Sequence, residues 1–516
     1  MSQPERFGSR VGMMLAMMGM AVGTGNIWRF PRIAAKNGGG EFLVAWVVFL
    51  LLWSTPLILL EFGMGRKTRS GPIKAFMEMM GPRWAWMGAF IVWIAAAIMF
   101  YYSVVAGWTL RYMLASLAGE LPAESPGAFW LEFTGSVWPV VTHGVMIGLA
   151  VLVVARGVRA IEKVGMILMP SLIVLVLILT GRALMLPGAS DGLSYLFTVD
   201  VSRLADARIW IEALVQNAWD TGAGWGLVLC YAAYLRERED TVLNAFILPA
   251  ANNCISLLAG IMVFCTVFSV VPQLMETAAA NPEALKGLGG LQEAVASNRP
   301  FSADLLQETI FSEGNTGITF IWMPQLFKTM QFGSFFMVLF FTALSFAAFT
   351  SLIAMVEVAT RTLVDAGVAR PRAIKIVGAI GFLLGVPSAL WMNVLDNQDW
   401  VWGVALVLSG LFFAVAVMVH GITRFRQGYL NHDDSDITVG RWWDWVIGLL
   451  VPAQAVILLG WFLYQSWRDD PAGWFKPFDP ENVFNVGTVL FQFAVVLVVL
   501  ILANKAIVAR VAKAGR

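Results

Sequence analysis

The sequence predicts an all-α integral membrane protein of twelve transmembrane helices. Three observations lead there: an apolar excess, its division into bilayer-length runs, and two of those runs broken by glycines at mid-span. Of 516 residues, 58% are hydrophobic and 13% charged. Soluble domains carry roughly 45–50% apolar and about 25% charged residues. A helix needs about 20 apolar residues to cross the hydrocarbon core. Runs such as 42–60, 145–154, 167–179, 404–419 and 489–502 are nearly or wholly free of charge. Their number excludes a soluble domain with one anchor.

The helices, numbered 1 to 12 in chain order, are expected at 11–34, 42–66, 86–116, 137–155, 164–184, 208–235, 241–271, 331–364, 371–392, 398–423, 441–467 and 486–510. The polar start, 1–10, runs directly into helix 1, so no cleavable leader is expected. Residues 273–328 between helices 7 and 8 are polar, with Glu276, Glu283, Glu293, Asp304 and Glu308 and a helical stretch near 288–296. They read as a solvent-side lid.

Cationic residues resist translocation and so mark the cytoplasmic loops. They cluster as Arg66, Lys67, Arg69 and Lys74, as Arg156, Arg159 and Lys163, as Arg236 and Arg238, as Arg370, Arg372 and Lys375, and as Arg424 and Arg426. The end of the chain adds Lys505, Arg510, Lys513 and Arg516. The 3–4 connection (Glu120, Glu124, Glu132) and the 9–10 connection (Asp396, Asp399) have no Lys or Arg. Both termini are therefore expected in the cytoplasm, and the chain in a cell inner membrane.

A net charge of +1 gives no clustered basic surface for nucleic acid. Cys230, Cys254 and Cys265 lie in apolar stretches without metal-ligand spacing and read as core side chains. His143, His420 and His432 form no constellation. Neither a phosphate loop nor a nucleophile–base set is found in the helices, which argues against a membrane enzyme.

Helix 1 reads Gly19-Met-Ala-Val-Gly-Thr-Gly-Asn26 and helix 6 reads Asp220-Thr-Gly-Ala-Gly-Trp-Gly226. Each glycine lowers helix propensity by about 1 kcal/mol, and an unmade backbone hydrogen bond in lipid costs several more. Helix 1 opens a first group of five and helix 6 a second, and an odd number per group inverts the second relative to the first. Paired interruptions in corresponding positions point to a midplane site where half-helix ends and freed carbonyls meet a solute and a cation. A close-packing face at Gly19 and Gly23 is the alternative.

At these residues the chain resembles the neurotransmitter:sodium symporter family, which has the LeuT-type fold. The resemblance rests on Gly25-Asn-Ile-Trp-Arg-Phe-Pro31 with Asn37-Gly-Gly-Gly40, on Glu61-Phe-Gly-Met-Gly-Arg66, on Arg156-Gly157 with Ile161-Glu-Lys163, and on Phe349-Thr-Ser351. It covers nearly the whole chain. It implies a 5+5 inverted repeat plus two additional helices. The first repeat is then 1–184, the second 208–423 with the lid 273–328, and the extra pair 441–510. It also implies sodium-coupled symport of an amino acid or related small solute, with Na⁺ as co-transported ion, no organic cofactor, and a monomer or homodimer in the bilayer.

Residue by residue, the resemblance implies one sodium site from the carbonyls of Gly19, Val22 and Ala347 with the hydroxyls of Thr350 and Ser351. Those two hydroxyls bonding back to their own helix is the alternative. A further sodium site involves Ala21, Asn26, Asp220 and Asn252. Here the chain departs from the pattern, because Asp220 replaces a hydroxyl residue. Chloride-dependent members hold their anion with a helix 2 tyrosine, a helix 6 glutamine, that hydroxyl and a helix 7 serine. This chain keeps Gln216 and Ser256 but has Trp46 at the tyrosine position, and lacks the glutamate that chloride-independent bacterial members carry where Ser256 sits. A carboxylate at 220 supplies the negative charge directly, so a chloride-independent carrier is expected. Asp220 then ligates the cation, takes a proton, or only caps its own half-helix.

The solute site is expected from Ala21, Gly25, Ile98, Tyr102, Trp219, Asp220, Gly222, Trp225 and Met355, with packing roles for Ile98 and Met355 as the alternative. Gly23 stands where monoamine carriers have an aspartate, which suggests a solute with its own carboxylate; Asp220 keeps a cationic amine open. The outer gate is expected from Arg29 and Asp399, and the inner gate from Tyr234 and Asp365 with Arg6. A non-transporting sensor or a channel on the same fold is the remaining class.

Overall fold

The computed structural model describes residues 5–121, 125–236, 239–280, 289–311, 316–431, 436–479 and 482–514. Among them there are helices and connections but no strand. Among the described residues ten helices are long and apolar enough to cross a membrane, and the bent pair Arg10–Ala21 with Gly25–Lys36 makes an eleventh span. The split pair Ala207–Asp220 and Leu227–Ala232 is the twelfth. Of the residues read from sequence, Glu124, Arg238, Glu283, His432 and Arg516 lie outside the described ones.

The two breaks fall where the glycines predicted them. The first half of helix 1 ends at Ala21, Val22 turns extended, and the halves meet at 52°. In helix 6 three alternating glycines, Gly222, Gly224 and Gly226, hold φ of +74°, +85° and +74°. That backbone is open to glycine at little strain and to few L-residues.

Glycines elsewhere set the closeness of packing. A Cβ on Gly65 of helix 2 would lie 2.1 Å from the Leu229 carbonyl in the second half of helix 6. On Gly39 and Gly40 it would meet the Tyr195 and Thr198 carbonyls at 2.2 Å. The Asn37-Gly-Gly-Gly40 run therefore exists to let the 195–198 segment lie directly on the backbone.

Four boundaries differ from expectation. Helix 5 starts at Val158, so Glu162 is on a helix. Helix 7 continues to Ala280. Only Trp391 separates helices 9 and 10, which places Asp396 and Asp399 in the first turns of helix 10 rather than in a loop; no glycine or proline in 392–400 interrupts that helix. The lid is partly core. Gly289–Ala296 and Ala303–Thr309 are short helices as a lid requires, and Gln307 donates to the Ala35 carbonyl at 2.9 Å. Residues 318–329, however, bury Phe320, Trp322, Leu326 and Phe327, and the Phe320 ring packs on Trp28, Trp108, Tyr112 and Trp130.

Gly65→Ala is expected to destabilise the protein by about 1–3 kcal/mol, because the clash is with backbone. Thermal unfolding in detergent measures this against Gly148→Ala, whose Cβ would meet nothing within 4 Å and which should not lower the midpoint.

Candidate functional site

Each break frees backbone groups that buried side chains then take up. At helix 1, the Asn26 side-chain oxygen accepts from the Gly23 amide at 2.8 Å, and the Tyr102 hydroxyl accepts from the Thr24 amide at 3.2 Å. At helix 6, Glu61 accepts from the Gly224 amide at 2.7 Å and from the Leu229 amide at 3.0 Å. Ser409 donates to the Gly224 carbonyl. Glu61 was visible only as part of a family motif. Its function as the cap of helix 6 depends on how helix 2 registers against that break.

Between the breaks lies a cavity of about 30 Å³, lined by Met20, Ala21, Gly23, Gly25, Asn26, Tyr102, Trp219, Asp220, Gly222, Trp225, Leu227, Ser351 and Met355. That is room for a water or two. Eight of the nine residues expected at the solute site line it. Ile98 does not, and is fully buried in the core; helix 3 is apolar on all sides, so its sequence period does not tell which face meets the cavity. Met20 and Leu227 were not anticipated, although each adjoins a break glycine.

Two oxygen clusters flank the cavity. In the first, the Ser351 hydroxyl lies 3.3 Å from the Gly19 carbonyl and 3.4 Å from the Val22 carbonyl. Thr350 donates back to Phe346 and Ala347 at 3.0 and 3.1 Å, the local bond that sequence allowed as its alternative. A Cβ on Gly19 would come within 2.9 Å of the Thr350 side chain, so glycine is what lets helix 1 approach helix 8. The Ser351 hydroxyl thus meets two of the expected carbonyls across the helix 1–helix 8 contact, while Thr350 meets the Ala347 carbonyl within helix 8.

In the second cluster Asn26 donates to the Asn252 side-chain oxygen at 2.9 Å and to Ser256 at 2.7 Å. Asp220 accepts through Oδ2 from Gln216 at 3.2 Å and from Ser256 at 3.3 Å. Its Oδ1 is buried without a hydrogen-bond partner. Gln216 in turn accepts from Arg29. Trp46 packs its ring on Phe30, with centroids 4.7 Å apart.

Away from the Lys/Arg-rich face, a second cavity of about 30 Å³ is lined by Gly25, Arg29, Arg32, Tyr102, Trp219 and Asp399 among others. Beyond it a vestibule of about 490 Å³ shares Arg29, Arg32, Trp219 and Asp399 with it. Trp219 borders all three spaces. Arg29 and Asp399, the residues expected at the outer gate, both line this cavity and the vestibule, with the Arg29 guanidinium bonded to Gln216.

On the opposite face Asp365 and Tyr234 sit among pairs that include residues not anticipated from sequence. Asp365 pairs with Arg361 at 3.1 Å, one turn back on its own helix, and accepts from the Gly71 amide. Tyr234 donates to Glu357 at 2.6 Å, and Arg370 binds the same carboxylate at 2.7 and 3.0 Å. Phe7, next to Arg6, donates its amide to the Tyr234 carbonyl at 3.1 Å. Glu357 and Arg370 were missed because partner choice among long side chains depends on helix register.

A twelve-helix membrane protein with two facing breaks, oxygen clusters between them and a vestibule on one side is a secondary transporter. The chain belongs to the sodium:neurotransmitter symporter family, whose profile matches residues 4–138 and 130–509. It is similar to an uncharacterized sodium-dependent transporter of Methanocaldococcus jannaschii, 28% identical over 88% of this chain and 90% of that one. It is also similar to the uncharacterized sodium-dependent transporter YhdH of Bacillus subtilis, 30% identical over 77% of this chain and 80% of that one. Among solved structures, MhsT in complex with L-phenylalanine superposes with a TM-score of 0.73 at 27% identity, covering 88% of this chain and 99% of MhsT. The fold is of the LeuT type, and the protein is a sodium-dependent transporter rather than an enzyme.

Glu61→Ala leaves the Gly224 and Leu229 amides buried without acceptors, at about 1–3 kcal/mol each. The melting midpoint should fall well below that of the wild type, and stabilisation by added Na⁺ should disappear with it.

Proposed function

We propose that the chain is a chloride-independent symporter of Na⁺ with an amino acid, working by alternating access across an inner membrane with both termini cytoplasmic. The repeat bounds 1–184 and 208–423 follow from the same reading. The observation that carries it is the placement of Asp220. Its carboxylate is bonded to Gln216 and Ser256, two of the groups that chloride-dependent relatives use for their anion. The volume and donors for chloride are thereby taken, and the charge that chloride would bring is fixed in the chain.

An ionised group at the bilayer centre costs about 2.5–3.5 kcal/mol even on insertion scales. Sodium bound between Ala21, Asn26, Asn252 and the free Oδ1 of Asp220 offsets that charge. The second cation takes the Gly19, Val22, Ala347, Thr350 and Ser351 oxygens. Neutral oxygen donors suit a hard monovalent ion that must also leave.

The solute's carboxylate is expected at the freed amides near Gly25 beside the Tyr102 hydroxyl, and its side chain among Met20, Trp219, Trp225, Leu227 and Met355. Those walls favour an apolar amino acid, in line with the L-phenylalanine bound in the structure of MhsT. One feature favours a cationic amine instead: Asp220 lines the cavity next to Trp219 and Trp225, whose rings meet edge-on at 5.4 Å, and aromatic faces attract cations.

Uptake into proteoliposomes with an inward Na⁺ gradient tests the reading. Wild-type uptake should persist with chloride replaced by gluconate. Asp220→Asn should lose about a hundredfold of chloride-free uptake, the equivalent of the insertion-scale charge term. Unchanged Na⁺-driven uptake by that variant without chloride would leave Asp220 a cap only. Amines competing better than neutral amino acids would favour the second solute class.

A further inference from the structure

The start of helix 1 is held by one carboxylate outside the site described above. Glu162 of helix 5 is 4% exposed. Its Oε2 accepts from the Gly8 amide at 2.6 Å, and its Oε1 accepts from the Ser9 amide at 2.8 Å and the Ser9 hydroxyl at 2.9 Å. Ser9 is also the N-cap of helix 1, its hydroxyl accepting from the Gly12 amide at 2.9 Å. The glycines on either side let side chains lie close to this backbone. A Cβ on Gly12 would lie 2.3 Å from Glu162 Oε1, and one on Gly8 would lie 2.0 Å from the Arg159 guanidinium and 3.0 Å from Glu162 Oε2.

We propose that Glu162 is the clasp of the inner gate: a positioning residue that holds the first half of helix 1 against helix 5 while the inner face is closed. Three donors on one carboxylate make the contact charge-assisted, and negative charge at a helix N-terminus is favourable in its own right. The break at Val22 leaves Arg10–Ala21 as a separate short lever. When that lever swings away, all three bonds to Glu162 open together and water takes over both sides. The exchange is between two satisfied states, so the clasp biases an equilibrium instead of locking it.

Sodium acts on the same lever from its other end. The Gly19 and Val22 carbonyls belong to helix 1, and Thr350 and Ser351 to helix 8. A cation between them pins the lever in the closed arrangement. Clasp and cation therefore stabilise one state, and weakening the clasp should raise the Na⁺ concentration needed to hold it. This rests on the alternating-access reading above.

A native thiol reports on the gate. Cys230 is fully buried in the second half of helix 6, four residues before Tyr234. With Cys254→Ser and Cys265→Ser as background, maleimide labelling of Cys230 follows opening of the inner face in the full-length protein. Glu162→Gln removes the charge and turns an amide N–H toward other N–H groups. Cys230 should then label about tenfold faster without Na⁺, the equivalent of one charge-assisted hydrogen bond, and Na⁺ should restore slow labelling only at higher concentration. Ser9→Ala, which loses one bond of the three and keeps the carboxylate, should fall between. Labelling of both variants at the wild-type rate overturns the assignment. So does fast labelling that Na⁺ never suppresses, which marks general loosening. Wild-type labelling indifferent to Na⁺ overturns the alternating-access reading and the clasp with it.

Discussion

The ion and solute sites proposed for this protein depend on backbone groups left without helical partners inside a membrane. In hydrocarbon each such group must find an acceptor or donor within the protein. Breaking helices 1 and 6 at the same depth creates a surplus of them, and most are taken up by buried side chains: Asn26 and Tyr102 at the first break, Glu61 and Ser409 at the second. What those side chains leave over is the binding capacity of the site. The Ser351 hydroxyl reaches the Gly19 and Val22 carbonyls at the long distances of 3.3 and 3.4 Å. The site is thus a by-product of incomplete repair.

The repairs are connected. From Arg29 at the outer narrowing, hydrogen bonds run through Gln216 to Asp220, from Asp220 to Ser256, and on through Asn26 to Asn252. Gln216 has a fixed sense in this chain: its carbonyl oxygen meets the donor-only guanidinium, and its amide nitrogen meets the carboxylate. A change of charge at Asp220 is therefore felt at the arginine two bonds away. On the opposite face the closure is ionic but lies apart from the cavity, in Arg370 with Glu357 and Arg361 with Asp365. The vestibule lies on one side and the ion pairs on the other, the asymmetry that the proposed alternating access calls for.

How much of this was legible in sequence follows from the physics of each feature. The breaks were readable because left-handed backbone selects glycine, and Gly222, Gly224 and Gly226 stand at the positions that adopt it. Thr350 and Ser351 came from the family motif Phe349-Thr-Ser351, and the Ser351 hydroxyl lies beside the Gly19 and Val22 carbonyls. Ile98 takes the packing role held open for it, and an all-round apolar helix has no period that marks one face. The Asp396–Asp399 segment read as a loop from its polarity, although polarity in the first turns of a helix facing a vestibule looks the same. The inner pairs escaped because Arg361, Arg370 and Glu357 are long side chains whose partners depend on how helices 6, 8 and 9 register. Glu162 and Glu61 were present in the motifs, but a carboxylate that caps another helix gives no local sign of it.

The account is tested most directly by equilibrium binding of radioactive sodium to purified protein in chloride-free buffer, with wild type compared against Ser351→Ala and Asp220→Asn. If the oxygens left at the two breaks are the ion sites, wild type binds saturably, and each substitution removes part of that binding while the other part remains. Sodium binding that is absent in the wild type, or identical in all three proteins, would contradict it.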